Sequence, residues 1–264
     1  MNDFPVIFRN QWLFGLFVAL LLLGLAEMGY RIGLRLYARK DEARRSQIGG
    51  VQGAILGLLA LLLGFTFSMA VSRYETRREM VLKEANAAGT AWLRAGLLPE
   101  AERAPARELL RRFVETRLKY QQVGYDPALL AEGLSLSTQI ENELWQHAEG
   151  AARTAPTPIT ATFIVALNEM IDTDAARIDA HRNQLPVAVW VLLMIVAASG
   201  CLTSAYGSGA QGARSAFTSS LLPLLITVVI IFVYDLLHSH QGVVTISQAP
   251  LVELLKNMSL PAGK

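Results

Sequence analysis

Four segments of the chain are long and apolar enough to cross a lipid bilayer, and they constrain the fold more than any other feature. A spanning helix needs roughly 20 consecutive, mostly apolar residues. The bilayer interior offers backbone N–H and C=O groups no partner, so a helix, which pairs them internally, is the expected structure. The segments are a run from Trp12 to Ala26 that continues past Tyr30, and apolar stretches within 46–72, 186–206 and 217–234. The sequence therefore predicts an all-α membrane protein with four transmembrane helices.

The composition agrees with this class and argues against others. Hydrophobic residues make up 52% of the 264 residues and charged residues only 17%, whereas soluble domains carry about 25% charged residues. The formal net charge of +2 provides no excess of positive charge to attract a nucleic acid. Cys201 is the only cysteine, which excludes an internal disulfide and a cysteine-based metal site.

The first apolar segment also fits a second interpretation. Arg9, the leucine-rich run and the small residues Gly24 and Ala26 together resemble a secretory signal with its cleavage site. Glu27 and Arg31, spaced as an i,i+4 pair, instead favour a helix that continues into the membrane interface. Basic residues near the apolar segments are about equally numerous on the two sides, so the charge pattern does not determine the orientation.

Most of the charge lies between the second and third apolar segments. Residues 73–185 contain 14 of the 24 Lys and Arg residues and 16 of the 22 Asp and Glu residues. No Gly or Pro interrupts the chain between Phe65 and Ala88, which predicts that the second transmembrane helix continues into this region. Turn signals at Pro99, 124–127 and 154–158 separate three further amphipathic helices.

Short turns between long helices predict an antiparallel helical bundle, inserted between the second and third transmembrane helices. The predicted divisions are transmembrane helices 1 and 2 in 1–72, the bundle in 73–185, transmembrane helices 3 and 4 in 186–237, and a short tail with a terminal helix in 238–264.

The sequence carries no catalytic signature. It lacks a glycine-rich phosphate loop, a G-x-S-x-G elbow and an H-E-x-x-H motif, so neither an enzyme nor a cofactor is predicted. His238 and His240 lie near Asp235, but this weak spacing favours polar interface residues over metal ligands. Asp174 and His181 lie seven residues apart on one apolar face, as expected for a buried pair or a contact between subunits.

Small residues recur along one face of the second transmembrane helix. At about 100° per residue, the members of this face fall within an arc of about 100°, which Ala54 also shares. The small-residue face comprises Gly50, Gly53, Gly57, Leu61, Gly64, Ser68, Val71 and Ser72. The opposite face carries Leu58, Leu59, Leu62, Leu63 and Met69, which suit lipid or apolar helix neighbours.

The small-residue face supports two interpretations. Glycines four residues apart, such as Gly53 and Gly57, let helix backbones approach closely, so the face can be a packing surface. Alternatively, it lines a pore formed by several subunits, in which Leu61 or Val71 forms an apolar constriction that gates by dewetting. One chain with four spans does not enclose a conduit, so the second interpretation requires an oligomer.

A few charged residues lie close to the ends of the apolar segments. Glu75 and Arg78 follow the small-residue face and are candidates for the mouth of a pore. Glu27 and Arg31 lie near the end of the first transmembrane helix, and Asp235 near the end of the fourth. Charge at membrane depth is costly and is usually paired or functional.

Several segments match a known family pattern. The second helix contains Gly50–Ala54 and Gly64–Ser68, followed by Ser72–Glu75. Further matching segments are Glu84–Ala87, Thr90–Ala91, Leu167–Asp172, Arg177, Arg182–Pro186, Asp235–Leu236, Gln241–Gly242 and Ile246–Leu251. In this combination, which extends over nearly the whole chain, the sequence resembles the bestrophin-like family of bacterial integral membrane proteins. It departs from the family after Asp235, where Leu-His-Ser-His at 237–240 replaces a second acidic residue and a proline.

The resemblance implies a function. Bestrophins are pentameric anion channels with four membrane helices per subunit, a second helix that lines an apolar neck, and a helical cytosolic region. For this chain the resemblance implies a homo-oligomer in the bacterial inner membrane, with both termini and the helical bundle in the cytoplasm. We therefore expect an oligomeric ion channel, with the lipid bilayer and small ions as partners. The alternative is a non-conducting sensor or scaffold whose helical bundle binds a partner.

Overall fold

The computed structural model describes residues 11–36, 42–121, 127–183, 185–210, 216–238 and 243–259. Within these ranges the chain forms eight helices and no strand, which confirms the all-α prediction. The helices are α1 (Gln11–Leu36), α2 (Glu42–Ala95), α3 (Glu100–Gln121), α4 (Pro127–Thr154), α5 (Pro158–Arg182), α6 (Val187–Ala210), α7 (Ala216–Leu237) and α8 (Ala249–Ser259). Arg9, the turn predicted at Gly124 and His240 lie outside the described residues.

Four of the described helices are long and apolar enough to cross a membrane, as predicted. Their candidate spans are Gln11–Arg35, Ile48–Ala95, Val187–Ala210 and Ser219–Leu237, with mean hydropathies between 2.0 and 2.4 in the most apolar windows.

Helix α2 is a single uninterrupted helix of 54 residues. Its continuation beyond the apolar segment follows from the absence of Gly and Pro between Phe65 and Ala88, because these are the residues that most destabilise a helix interior. The helix ends at Ala95, next to Gly96 and shortly before Pro99. The predicted continuation beyond the apolar segment is therefore confirmed.

The chain divides into two compact units. The apolar unit consists of Met1–Ser72 with Gln184–His238, and the charged unit of Arg73–Asn183 with Ser239–Lys264. The segment set apart in the sequence analysis as a tail thus groups with the charged unit. Its helix α8 packs against α3, and Leu251 and Met258 are buried in that unit's core.

In the apolar unit, α1 packs against α6 and α7. Helix α1 buries Val18, Leu22 and Ala26 at four-residue spacing, the period of one helix face. The backbones of α1 and α6 approach closely, because a Cβ added at Gly29 would meet the carbonyl oxygen of Leu202. A larger residue at this position would force the two helices apart.

Two further close contacts of the same kind extend the seam between α1 and α6, which begins at Gly29. An added Cβ at Gly33 would meet the Tyr206 carbonyl oxygen, and one at Gly209 the Tyr30 carbonyl oxygen. At Gly29, Gly33 and Gly209, a glycine of α1 or α6 thus lies directly against the backbone of the other helix.

In the charged unit, α3 packs against α4, and α4 against α5. Glu102 near the start of α3 contacts His147 late in α4, with 2.6 Å between Oε2 and Nδ1. Tyr120 near the end of α3 donates to Glu132 early in α4, with an O···O distance of 2.7 Å. These two contacts place α3 and α4 in opposite directions.

The core of the charged unit is formed by the apolar faces of its helices. Its largest fully buried side chains are Phe113, Phe163, Leu98, Leu110, Ile140, Leu144, Leu167, Met170 and Leu251. Thr157 caps α5 by accepting a hydrogen bond from the Thr160 N–H at 3.3 Å, and Pro158 occupies the first turn. Both residues are typical of helix starts, which explains why the predicted break at 154–158 is so short.

Candidate functional site

The small-residue face of α2 is open to the surroundings of the chain. Leu61 is 54% exposed, and Val71 is the one member that is half-buried. The exposed members are Gly50, Gly53, Gly57, Leu61, Gly64, Ser68 and Ser72. The exposed surface of this face is therefore formed mainly by glycine backbone, one leucine side chain and two serine side chains.

The glycines of this face have no neighbour within the described chain. A Cβ added at Gly50, Gly53, Gly57 or Gly64 would find nothing within 4 Å. Glycine here is thus not required by the packing of α2 against another described helix of the same chain. This distinguishes the face from the seam at Gly29, where a backbone carbonyl occupies the space.

The opposite side of α2 packs against α6. At Gly200 of α6 an added Cβ would lie 3.3 Å from a methyl of Leu56 and 3.5 Å from one of Leu59. Leu59 is only 3% exposed, and Gln52 Nε2 donates to Ser204 Oγ at 3.3 Å. These contacts fix the rotation of α2 so that the small-residue face points away from α6.

The remaining leucines of the opposite face divide between two environments. Leu62 and Leu63 are partly buried against the core of the apolar unit. Leu58 and Met69 are exposed, as expected for side chains that contact lipid.

The two candidates for the mouth of a pore, Glu75 and Arg78, are both exposed on α2. They lie three residues apart and so on neighbouring positions of the helix surface. Both belong to the charged unit.

The candidate charges at the membrane ends differ in environment. Arg31 Nε donates to Glu27 Oε1 at 2.7 Å across one turn of α1. Both side chains are exposed, and such pairs contribute at most about 1 kcal/mol. Asp235 of α7 is instead buried, at 2% exposure. Next to it, the His238 ring stacks on Tyr234 with 4.0 Å between centroids, which places His238 in an aromatic contact.

The charged unit contains a group of buried charges that sequence reasoning did not identify as a site. Glu84 of α2 is fully buried and pairs with two arginines: Arg117 Nε donates to its Oε1 at 2.7 Å, and Arg177 contacts its Oε2. Arg117 also pairs with Asp174, and the charges of both residues act on Glu141 of α4. We call these five residues, contributed by α2, α3, α4 and α5, the ionic core.

Burial shifts the proton affinities in the ionic core. It lowers the pKa of Arg177 to about 10 and also lowers the pKa of Arg117. It raises the pKa of Glu141 to about 7, with a further rise from the negative charge of Asp174. The pKa of Asp174 is raised by burial and pulled back by Arg117.

The spacing of residues along α5 contains a sequence signal for the ionic core. Asp174 and Arg177 follow Met170 at i+4 and i+7, so they share the face that carries the apolar core. The sequence analysis expected Asp174 and His181 to form a buried pair or a contact between subunits; within the chain, Asp174 pairs with Arg117 of α3. Periodicity identifies the buried face but does not identify which helix lies opposite.

No group of three or more potential metal-ligating side chains occurs among the described residues.

In the described part of the chain, four apolar helices and the helical fold indicate a helical membrane protein. The family model described as Bestrophin-like domain matches residues 15–251, and the chain belongs to this bestrophin-like family. The expected family membership is thereby confirmed.

Solved structures with a similar fold are crystal structures of variants of a bacterial bestrophin homologue from Klebsiella pneumoniae. One has a TM-score of 0.61 at 15% sequence identity, covering 92% of this chain and 98% of that chain. Another has a TM-score of 0.59 at 16% identity, covering 92% and 95%. At this identity the likeness establishes the bestrophin fold. No match was found among the curated proteins.

Proposed function

We propose that copies of the chain assemble around a common axis lined by the small-residue face of α2, forming a conduit for small ions through the membrane. The observation that carries this proposal is the empty space beside Gly50, Gly53, Gly57 and Gly64. Membrane helices bring small residues together to pack closely, but no described helix of the same chain uses these positions. Their neighbour is then lipid, another copy or water, and the glycines and hydroxyl groups of the face favour the last two.

Each part of the face has a role in this proposal. The glycines, Ser68 and Ser72 give a wide and partly polar lumen. Leu61 or Val71 forms the apolar constriction, where loss of water closes the path. Glu75 and Arg78 set the electrostatic potential at one mouth.

The bestrophin-like family supports the remaining features of the assembly. The resemblance implies five subunits and small anions, and the surroundings are the lipid bilayer of the bacterial inner membrane. The charged unit, as an antiparallel helical bundle, and both termini lie in the cytoplasm. Ion passage needs no cofactor and no nucleic acid, and the protein is not an enzyme.

The test is ion flux through the purified protein in liposomes. Leu61→Ala widens the proposed constriction and increases the flux, whereas Ser68→Trp fills the lumen and abolishes it. Matched controls lie on α7: Leu225→Ala removes the same group from a side chain of 56% exposure, and Val228→Trp adds similar bulk to another exposed position. We expect both controls to conduct like the unchanged protein.

Equal flux in Leu61→Ala, Ser68→Trp and the unchanged protein would contradict the pore assignment. Absence of any flux would favour the second candidate function, a non-conducting sensor or scaffold. The observation that favours this alternative is the 54-residue helix α2, which contributes to both units without a break. A continuous helix is a suitable element for passing a structural change along the chain.

A further inference from the structure

Two arginines of α2 bind the C-terminal end of α5. Arg73 Nη1 donates to the backbone carbonyl oxygen of Asn183 at 2.8 Å and to the side-chain Oδ1 of the same residue at 2.5 Å. One turn further along α2, Arg77 Nε donates to the Ala180 carbonyl oxygen at 3.2 Å. Residues four apart lie on one side of a helix, so both arginines reach α5 from the same side of α2. We call these three hydrogen bonds the α2–α5 joint.

The end of α5 is a suitable acceptor for arginine side chains. The last four carbonyl groups of a helix have no partner within that helix, and Ala180 is among the last four residues of α5, which ends at Arg182. The C-terminus of a helix also carries a partial negative charge, which favours a cation beside it. Arg77 is only 4% exposed, so its bond to α5 is largely shielded from competing water.

The joint lies where the chain enters and leaves the charged unit. The main segment of this unit begins at Arg73 and ends at Asn183, so the joint holds its two ends together. Ser72, the last member of the small-residue face, directly precedes Arg73. Four residues after Asn183, Val187 starts α6, the helix that packs against the opposite side of α2. The joint thus connects the helix that carries the small-residue face to the segment that leads into its packing partner.

The small-residue face is sensitive to rotation of α2 about its own axis. The face spans an arc of about 100°, which equals the advance of a single residue along a helix. A rotation of this size would direct a different side of α2 at the proposed axis. No Gly or Pro lies between Phe65 and Ala88, so this part of α2 turns as one rigid helix. Hydrogen bonds at Arg73 and Arg77 therefore restrain the rotation of the last turns of the face.

We propose that Arg73 and Arg77 are positioning residues of the conduit. By holding α2 on the end of α5, they keep the last turns of the small-residue face directed at the common axis. They act through the orientation of α2 and not through contact with the ions. This inference rests on the proposed function, because the orientation of α2 affects ion passage only if α2 lines the path.

A bond of the same kind at the far end of α2 provides a matched control. Arg94 Nη1 donates to the Thr162 carbonyl oxygen of α5 at 2.7 Å. Like the joint, this bond links an arginine of α2 to the backbone of α5. It lies 21 residues beyond Arg73, which is about 30 Å along the helix axis and away from the small-residue face. Arg94→Met therefore removes a link between α2 and α5 without freeing the part of α2 next to the face.

The test is ion flux per assembled complex in liposomes, at a temperature below the Tm of every variant. The mass of the complex and Tm are measured on the same preparations. Arg73→Met keeps an apolar side chain of similar reach but has no donor for Asn183. A hydrogen bond to a charged group biases a conformational equilibrium by roughly tenfold or more. We therefore expect the flux of Arg73→Met to fall by roughly tenfold, with the mass of the complex unchanged.

Two further variants distinguish positioning from general stability. Asn183→Ala removes the Oδ1 acceptor but keeps the backbone carbonyl, so we expect a smaller fall in flux. Arg94→Met is expected to conduct like the unchanged protein, even where its Tm is lower.

The inference is overturned if Arg73→Met conducts like the unchanged protein, or if Arg94→Met loses as much flux as Arg73→Met. If Arg73→Met does not assemble, Asn183→Ala decides, because unchanged flux in that variant also overturns the inference. Absence of flux in the unchanged protein would instead contradict the proposed function itself, and this inference with it.

Discussion

At the level of single residues, the buried pair of Arg177 and Glu84 stabilises the charged unit. Both side chains are almost fully buried, and Glu84 lies between Arg177 and Arg117. Burial lowers the pKa of Arg177 only to about 10, so the guanidinium remains charged at neutral pH. Without Arg177, the buried Glu84 keeps only Arg117, which it shares with Asp174, so the buried negative charge is incompletely compensated. Breaking a buried pair in this way costs about 3–5 kcal/mol.

We therefore predict that Arg177→Met lowers the free energy of unfolding by about 3–5 kcal/mol. The measurement is Tm in detergent, where each kcal/mol corresponds to roughly 2–4 °C for a chain of this size. Arg111→Met is the matched control, since Arg111 pairs with Glu108 and Glu115 on the exposed surface of α3. Exposed pairs contribute about 1 kcal/mol or less, so equal losses in the two variants would contradict the role of the ionic core.

At the level of the helices, glycines in α1 and α2 serve different purposes. Gly29 lets the backbones of α1 and α6 approach, whereas Gly57 borders open space. We predict that Gly29→Ala lowers the free energy of unfolding by about 1–3 kcal/mol, because its Cβ would meet the Leu202 carbonyl oxygen. Gly57→Ala is expected to leave it unchanged or raise it by up to about 1 kcal/mol, through the higher helix propensity of alanine.

The pair of glycine variants also separates the two interpretations of the small-residue face. Thermal unfolding and the mass of the complex are measured for both variants. If copies of α2 pack closely at Gly57, an added methyl group disrupts the complex. We expect Gly57→Ala to retain its assembly, since the proposal places water beside this residue. Loss of the complex in that variant would assign the face to helix packing instead.

The helices themselves could be predicted from the sequence because their signals are local. Apolar length defined the four candidate spans, and Pro99 and Pro158 marked the starts of α3 and α5. The contacts between helices could not be predicted, since periodicity shows which face is buried but not its neighbour. Arg117 and Asp174 are 57 positions apart in the sequence, so their pairing depends on how α3 and α5 pack.

The candidate site shows the same limit. Its residues were identified from glycine and serine spacing, but exposure of the face depends on where α6 lies. Gln52 and Leu59, which contact α6, fix that rotation. The glycines that actually pack closely, including Gly29, were not singled out because α1 offers no comparable stripe along its length.

At the level of the whole molecule, the proposed function requires more than one copy of the chain. The small-residue face lies on one side of α2, and only several copies of that side can surround a conduit. We predict that the complex released from membranes has a mass near five times the 28.9 kDa of one chain, by measurement of the intact complex. Leu61→Ala should retain this mass, so that its altered flux reflects the constriction and not disassembly. A single copy in native membranes would contradict the conduit and leave the sensor or scaffold, because one α2 face cannot enclose water.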